Sequence, residues 1–217
     1  MNERILKEKP IEQVMDGQLM FEQNLNEQQV QITKIIDFAS GNGAQGEGTH
    51  PARHTELVKK TMLSKFNHSS RRGSKIKYLV IHDTGNRRKG ADAIAHAKYF
   101  GRANRNASAH YFVDDHNIVQ IVADEQASWH CGDGRGRNGI TNENSIGIEM
   151  CINSDGDYDL AFVNTAVLIA KLMDKHKIPI SRVVRHYDAS GKICPQSMYA
   201  HNWQEWEELK SLVEMYH

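Results

Sequence analysis

Two histidines and a cysteine carry the first chemical suggestion in this chain of 217 residues. His82 closes the apolar run KIKYLVIH (75–82), and His186 closes RVVRH (182–186). Both runs have the β-branched, apolar character of buried strands, and open α/β sheets collect ligands outside the carboxyl ends of their strands. Cys194 follows His186 by eight positions, at the end of the loop YDASGKICP. Two imidazoles and one thiolate suit zinc, and three protein ligands leave a fourth tetrahedral position for water. The chain holds twelve histidines, so position along the strands has to select the ligands.

Glu149 is the second chemical signal. Along 145–152 the side chains of Ile146, Ile148 and Met150 share one face, which leaves Ser145, Gly147, Glu149 and Cys151 on the other. A mid-strand carboxylate among small residues is costly in an apolar core and makes sense on the floor of a polar pocket. Lys192 is the third, two positions before Cys194. Its cation could steady the oxyanion formed when water attacks a carbonyl. Two further patterns carry no such chemistry. Residues 134–139 fit GxGxxG but lead into a strand, whereas a dinucleotide site needs that pattern between a strand and a helix. They read as a flexible pocket rim. The acids of 153–159 lack the Gly and Glu that a calcium loop requires. They read as a turn that favours the start of the next helix.

The elements that must position these groups are legible from periodicity. Strands are expected at 75–82, 145–152 and 178–186, with a pair at 110–122 joined by a tight Asp-Asp-His-Asn turn. Helices are expected at 91–103, 159–177 and 202–216. Interleaved strands and helices imply an α/β layer fold, and the adjacent strands at 110–122 make its sheet mixed. Residues 11–38 show looser helical spacing, and the Gly-rich stretch 40–51 reads as a linker. The expected organisation is therefore an extension, 1–50, and a catalytic domain, 51–217.

Bulk properties exclude several classes. Lys+Arg and Asp+Glu balance at 27 each, so global charge points to neither nucleic acid nor a membrane surface. The balance hides an asymmetry: residues 1–50 carry four basic and eight acidic side chains, and 51–75 carry seven basic and one acidic. The basic run reads as a solvated helix and loop. Three cysteines without a CxxC pair argue against a disulfide framework. The N-terminus lacks the apolar core of a secretory signal, and no stretch reaches the length of a membrane span. The expectation is synthesis in the cytoplasm.

Five stretches in order resemble a known family: VIHDTGN (80–86), SAHYFVDD (108–115), WHCGDG (129–134), SIGIEMC (145–151) and RHYDASGKICP (185–195). From about residue 57 onward the chain is similar to the zinc amidases that include phage and prophage endolysins, bacterial autolysins and the peptidoglycan recognition proteins. The likeness is greatest to the endolysin type of Gram-positive bacteria and their phages. The resemblance implies a mixed central β-sheet flanked by helices. It also implies hydrolysis of the amide bond between N-acetylmuramic acid and L-alanine in peptidoglycan, after release to the cell wall. One Zn2+ per chain would be held by His82, His186 and Cys194, with Glu149 handling the proton and Lys192 assisting the transition state. Trp129 and His130 would wall the substrate pocket, with His110 in support. Some family members place a Tyr before the histidine of SAHYF; Ala109 stands there, which shifts more of the work to Glu149. Two other readings are a peptidoglycan-binding module that does not cut, and an amidase acting on soluble muropeptides. Non-cutting relatives typically lose the cysteine ligand, which is present here.

Overall fold

The computed structural model describes residues 57–217. The helical spacing expected at 11–38 and the linker at 40–51 lie outside the described residues. Among the described residues eight strands run in chain order: β1 (Val58–Thr61), β2 (His68–Ser70), β3 (Tyr78–Asp83), β4 (Tyr111–Val113), β5 (Asn117–Gln120), β6 (Gln126–Ser128), β7 (Ser145–Met150) and β8 (Val183–Arg185). The helices are α1 (Ala93–Gly101), α2 (Tyr158–His176), the short α3 (His186–Ser190) and α4 (Ala200–Tyr216). Six strands form one sheet in the order β1-β5-β4-β7-β3-β8, and β2 pairs with β6 in a separate ribbon. Only the β4–β5 pairing in the large sheet is antiparallel. The sheet is mixed for the reason the adjacent strands at 110–122 suggest.

The alternation in β7 sorts the molecule into layers. Ile146, Ile148 and Met150 pack with Leu79, Ile81, Tyr111 and Val113 beneath α2 and α4. On the opposite face Phe112, Val119 and Cys151 pack with Ala93 and Ala97 of α1. Val80 meets Cys131, Ile140 and Ala189 on that side too. His82 and Glu149 are directly paired in the parallel β3–β7 register. Two residues 67 apart in sequence thereby become neighbours near the carboxyl ends of adjacent strands.

Local chemistry sets the element ends. Asp92 caps α1 by accepting from Ala95 N, and Asp157 caps α2 by accepting from Leu160 N. The second cap bears out the reading of the acids at 153–159 as helix-starting residues. The Asp114 carboxylate accepts from His116 N and Asn117 N in the β4–β5 turn and from Ala93 N at the start of α1. One side chain thus ties hairpin to helix.

Two expectations need correction. The strand expected at 178–186 is confined to Val183–Arg185, because Pro179 offers no N–H and a 3-10 turn occupies Ile180–Arg182. The basic run expected as a solvated helix and loop contains β1, an exposed edge strand carrying Lys59 and Lys60. Charged side chains on an edge discourage pairing with other chains. Within the same run Arg71 is buried, donating to the carbonyls of Asp124, Glu143 and Ser145.

Asp124 is the charged knot of the hairpin side. Its buried carboxylate accepts from Tyr111 Oη at 2.7 Å, Gln120 Nε2 at 3.1 Å, and Lys175 Nζ and His176 Nε2 at 2.8 Å each. Burial alone would raise this carboxyl, but the hydrogen bonds from Lys175, Tyr111 and His176 hold it below its ordinary value. Asp124→Asn is expected to lower the unfolding free energy by roughly 2 kcal/mol, since it removes the carboxylate that accepts from Tyr111, Lys175 and His176, while the half-exposed Lys175 ammonium can be resolvated. A carboxylate with a depressed folded pKa stabilises above its unfolded pKa and loses that contribution as pH falls through the folded value. The difference between the proteins, read by urea denaturation, is therefore full at neutral pH and shrinks below about pH 4. Equal stability at neutral pH would show the knot to be decorative.

Candidate active site and metal centre

His82 and Glu149 enter the site from β3 and β7, His186 from the first position of α3, and Cys194 from the loop that follows it. Relative exposure is 2 % at His82, 3 % at His186 and 5 % at Cys194. One donor atom from each of the three lies within 4.8 Å of the others. Cys194 Sγ is 3.7 Å from His82 Nδ1, which also stands 4.0 Å from Glu149 Oε1.

Two unsatisfied atoms indicate what the cluster is built to hold. His186 Nδ1 and Glu149 Oε2 are buried and have no hydrogen-bond partner in the protein. Buried polar atoms are almost always paired, so an orphaned imidazole nitrogen beside a second imidazole and a thiol marks a place for a cation. His186 uses its other nitrogen, Nε2, at 2.8 Å from Asp133 Oδ1. That carboxylate orients the ring and directs the Nδ1 lone pair into the cluster, as carboxylate partners do for metal-binding histidines. Asp133 was not among the candidate residues of the sequence. Its signal was available in WHCGDG, but no spacing rule connects it to His186, 53 positions away.

Burial dominates the electrostatics of the cluster. Burial, then the neighbouring His186 and Lys192, pushes the His82 imidazole well below its ordinary pKa. The ring is neutral, as a ligand must be. Burial and the Glu149 charge push the Cys194 thiol up to about 12. Burial and Asp83 push Glu149 up to about 8, against the opposing pull of Lys192. The positive charge of the exposed Lys192 lowers the pKa of both His82 and Glu149.

Beyond Glu149 opens a pocket of about 470 Å³ whose lining includes Thr84, Asn86, Arg88, His96 and Tyr99. Thr84 and Asn86 fall within the VIHDTGN stretch, whereas Arg88, His96 and Tyr99 lie in none of the five stretches. They come from the β3–α1 loop and from α1, where separate short motifs give no hint of a shared wall.

The expected substrate-contact residues divide. Trp129 is half-buried and donates through Nε1 to Ser69 Oγ. His130 is half-buried and lies against His82, with its Nδ1 3.1 Å from His82 Nε2. His110 is fully buried: Nδ1 accepts from Gly147 N and Ser128 Oγ, and Nε2 faces Gln126 O. Its place is under the sheet face, not at the pocket surface. The glycine-rich stretch 134–139, expected as a flexible rim, is docked on α3. Asn138 Nδ2 donates to Asp188 O, and a Cβ on Gly134 would fall 1.9 Å from Ala189 O.

The sequence pattern described as Amidase_2, N-acetylmuramoyl-L-alanine amidase, matches residues 72–197, more than half of the chain. The chain belongs to this amidase family. All four groups of the cluster, His82, Glu149, His186 and Cys194, fall inside the matched region. Among relatives of this chain, the Bacillus subtilis protein CwlH, named an N-acetylmuramoyl-L-alanine amidase, is 46% identical over 124 residues, 57% of this chain and 49% of that protein. XlyA of Bacillus subtilis, of the same name, is 41% identical over 134 residues, 62% of this chain and 43% of that protein. The chain spans about half the length of the curated relatives it matches. The solved catalytic domain of XlyA superposes with a TM-score of 0.65 at 34% identity, over 72% of this chain and 99% of that one. The fold is thus that of endolysin-type amidase domains. Among the described residues no helix is long and apolar enough to cross a membrane.

Proposed function

We propose that residues 51–217 form a zinc-dependent N-acetylmuramoyl-L-alanine amidase that cuts peptidoglycan between the lactyl carbonyl of muramic acid and L-alanine. The observation that carries this reading is the pair of orphaned buried atoms, His186 Nδ1 and Glu149 Oε2, beside His82 and Cys194. His82 Nδ1, His186 Nδ1 and Cys194 Sγ would hold the metal. When bound, zinc supplies Lewis acidity toward the carbonyl and makes water a usable nucleophile near neutral pH.

The chain's own residues supply the rest. The pocket lined by Arg88, His96 and Tyr99 seats the stem peptide with its first amide beside Glu149. Lys192 and a bound dication would oppose the rise in the Glu149 pKa, so that the ionised carboxylate accepts the proton of the attacking water at Oε2, the oxygen left free by the protein. The Lys192 ammonium stabilises the negative charge that develops on the carbonyl oxygen. As the C–N bond breaks, Glu149 returns the proton to the departing alanine nitrogen, without which the amine is a poor leaving group. Ala109 is fully buried and offers no hydroxyl, so proton transfer rests on Glu149.

The test is product analysis on purified sacculi and on soluble muropeptides. New alanine N-termini without new reducing sugars are the expected outcome on sacculi. Cleavage of the soluble substrate alone would move the protein to muropeptide turnover. Binding to sacculi without amine release would make it a recognition module.

A further inference from the structure

His82 and His186 are held by different means. His186 leans on a half-exposed carboxylate, Asp133, whereas His82 leans on another imidazole. His82 Nε2 lies 3.1 Å from His130 Nδ1, and His130 Nε2 lies 3.0 Å from Ser145 Oγ. Ser145 Oγ in turn donates to the carbonyl oxygen of Thr141 at 2.5 Å. The order of donors along this chain is set from its far end. A carbonyl oxygen only accepts, so the Ser145 hydroxyl proton is committed to Thr141. The Ser145 oxygen is then left to accept, which places the His130 proton on Nε2. A neutral His130 ring so arranged has a bare Nδ1, and that nitrogen accepts from His82 Nε2–H. His82 Nδ1 is therefore the nitrogen with the free lone pair, and it is the one beside Cys194 and Glu149. The opposite tautomer of His82 would put two lone pairs face to face between His130 Nε2 and Ser145 Oγ.

The surrounding residues hold this chain in place. Asn142 Oδ1 accepts from the backbone N–H of His130 at 3.1 Å and of Cys131 at 2.9 Å. Gly147 lies against the imidazole: a Cβ there would come within 2.6 Å of His130 Cγ. The small residues on the Glu149 face of β7 thereby acquire a purpose. Ser145 anchors the ring, and Gly147 makes room for it.

We propose that His130 is a positioning residue, which with Ser145 and the Thr141 carbonyl fixes His82 in the tautomer that presents Nδ1 to the metal. This rests on the zinc reading of the site. It assigns His130 to the metal ligand and not to the substrate wall. Loss of such a partner of a metal-binding histidine typically costs about 10–100-fold in metal affinity.

The test uses the full chain, labelled with 15N in its histidines. In the metal-free wild type, long-range 1H–15N spectra should show His82 and His130 protonated at Nε2. Zinc dissociation constants come from competition with a chromophoric chelator. His130→Phe keeps a ring but no acceptor and should weaken zinc binding by about 10–100-fold. His130→Gln, whose side-chain oxygen can accept from His82, should recover most of the loss. Ser145→Ala should give a mixture of His82 tautomers. A wild-type spectrum with the His82 proton on Nδ1 overturns the proposal, and so does wild-type zinc affinity in a folded His130→Phe protein. If that variant does not fold, the wild-type spectrum decides alone. Failure to take up zinc in the wild type would be a different result, because it removes the metal reading and the relay with it.

Discussion

Glu149→Gln is expected to lower turnover by about 10²–10⁴-fold while leaving zinc in place, the usual range for a positioned general acid–base. The substitution keeps the size and reach of the side chain but provides no carboxylate to accept a proton. Zinc should stay because the three proposed ligands are His82, His186 and Cys194, with Glu149 Oε1 no nearer than 4.0 Å to His82 Nδ1. Substrate should still bind, since the other residues of the 470 Å³ pocket are unchanged. The measurements are amine release from peptidoglycan, metal content and sacculus binding on the same preparation. Loss of turnover with metal and binding retained assigns Glu149 to proton transfer. Amine release at the wild-type rate would remove it from the mechanism.

The second large effect is expected at Cys194→Ser. Zinc-finger peptides bind zinc with apparent free energies of about 10–16 kcal/mol through four ligands, or roughly 2.5–4 kcal/mol for each. Loss of one thiolate should therefore weaken zinc binding by about 10²–10³-fold, and a hydroxyl is too hard and too weakly acidic to replace it. Activity at low zinc should fall in parallel and recover partly when zinc is supplied in excess. Cys151 provides a control. It is buried and lies outside the metal cluster, so its conservative replacement should leave zinc content unchanged. Full zinc occupancy in the Cys194→Ser protein would take the thiol out of the site.

The chemistry of individual residues and the faces they occupy were determined by the sequence. Alternation along 145–150 placed Ile146 and Ile148 on one side and Glu149 on the other, because strand geometry turns successive side chains through half a circle. The same local rule put His82 near a strand end, and helix-capping chemistry set the start of α2 at Asp157. Those features depend on neighbours a few positions away. The partners of the site depend on the path of the chain through space. His186 meets Asp133 across 53 positions, His82 meets His130 across 48, and Arg71 meets the Ser145 carbonyl across 74. Nothing local distinguishes Arg71 from the solvated cations around it, and β1 shows no apolar alternation because all four of its residues are exposed and its pairing with β5 uses backbone groups. Which imidazole nitrogen of His82 faces Cys194 was likewise decided only by tertiary structure. A tautomer is fixed by the hydrogen bond on the other side of the ring, and for His82 that bond comes from a separate loop that packs on Gly147.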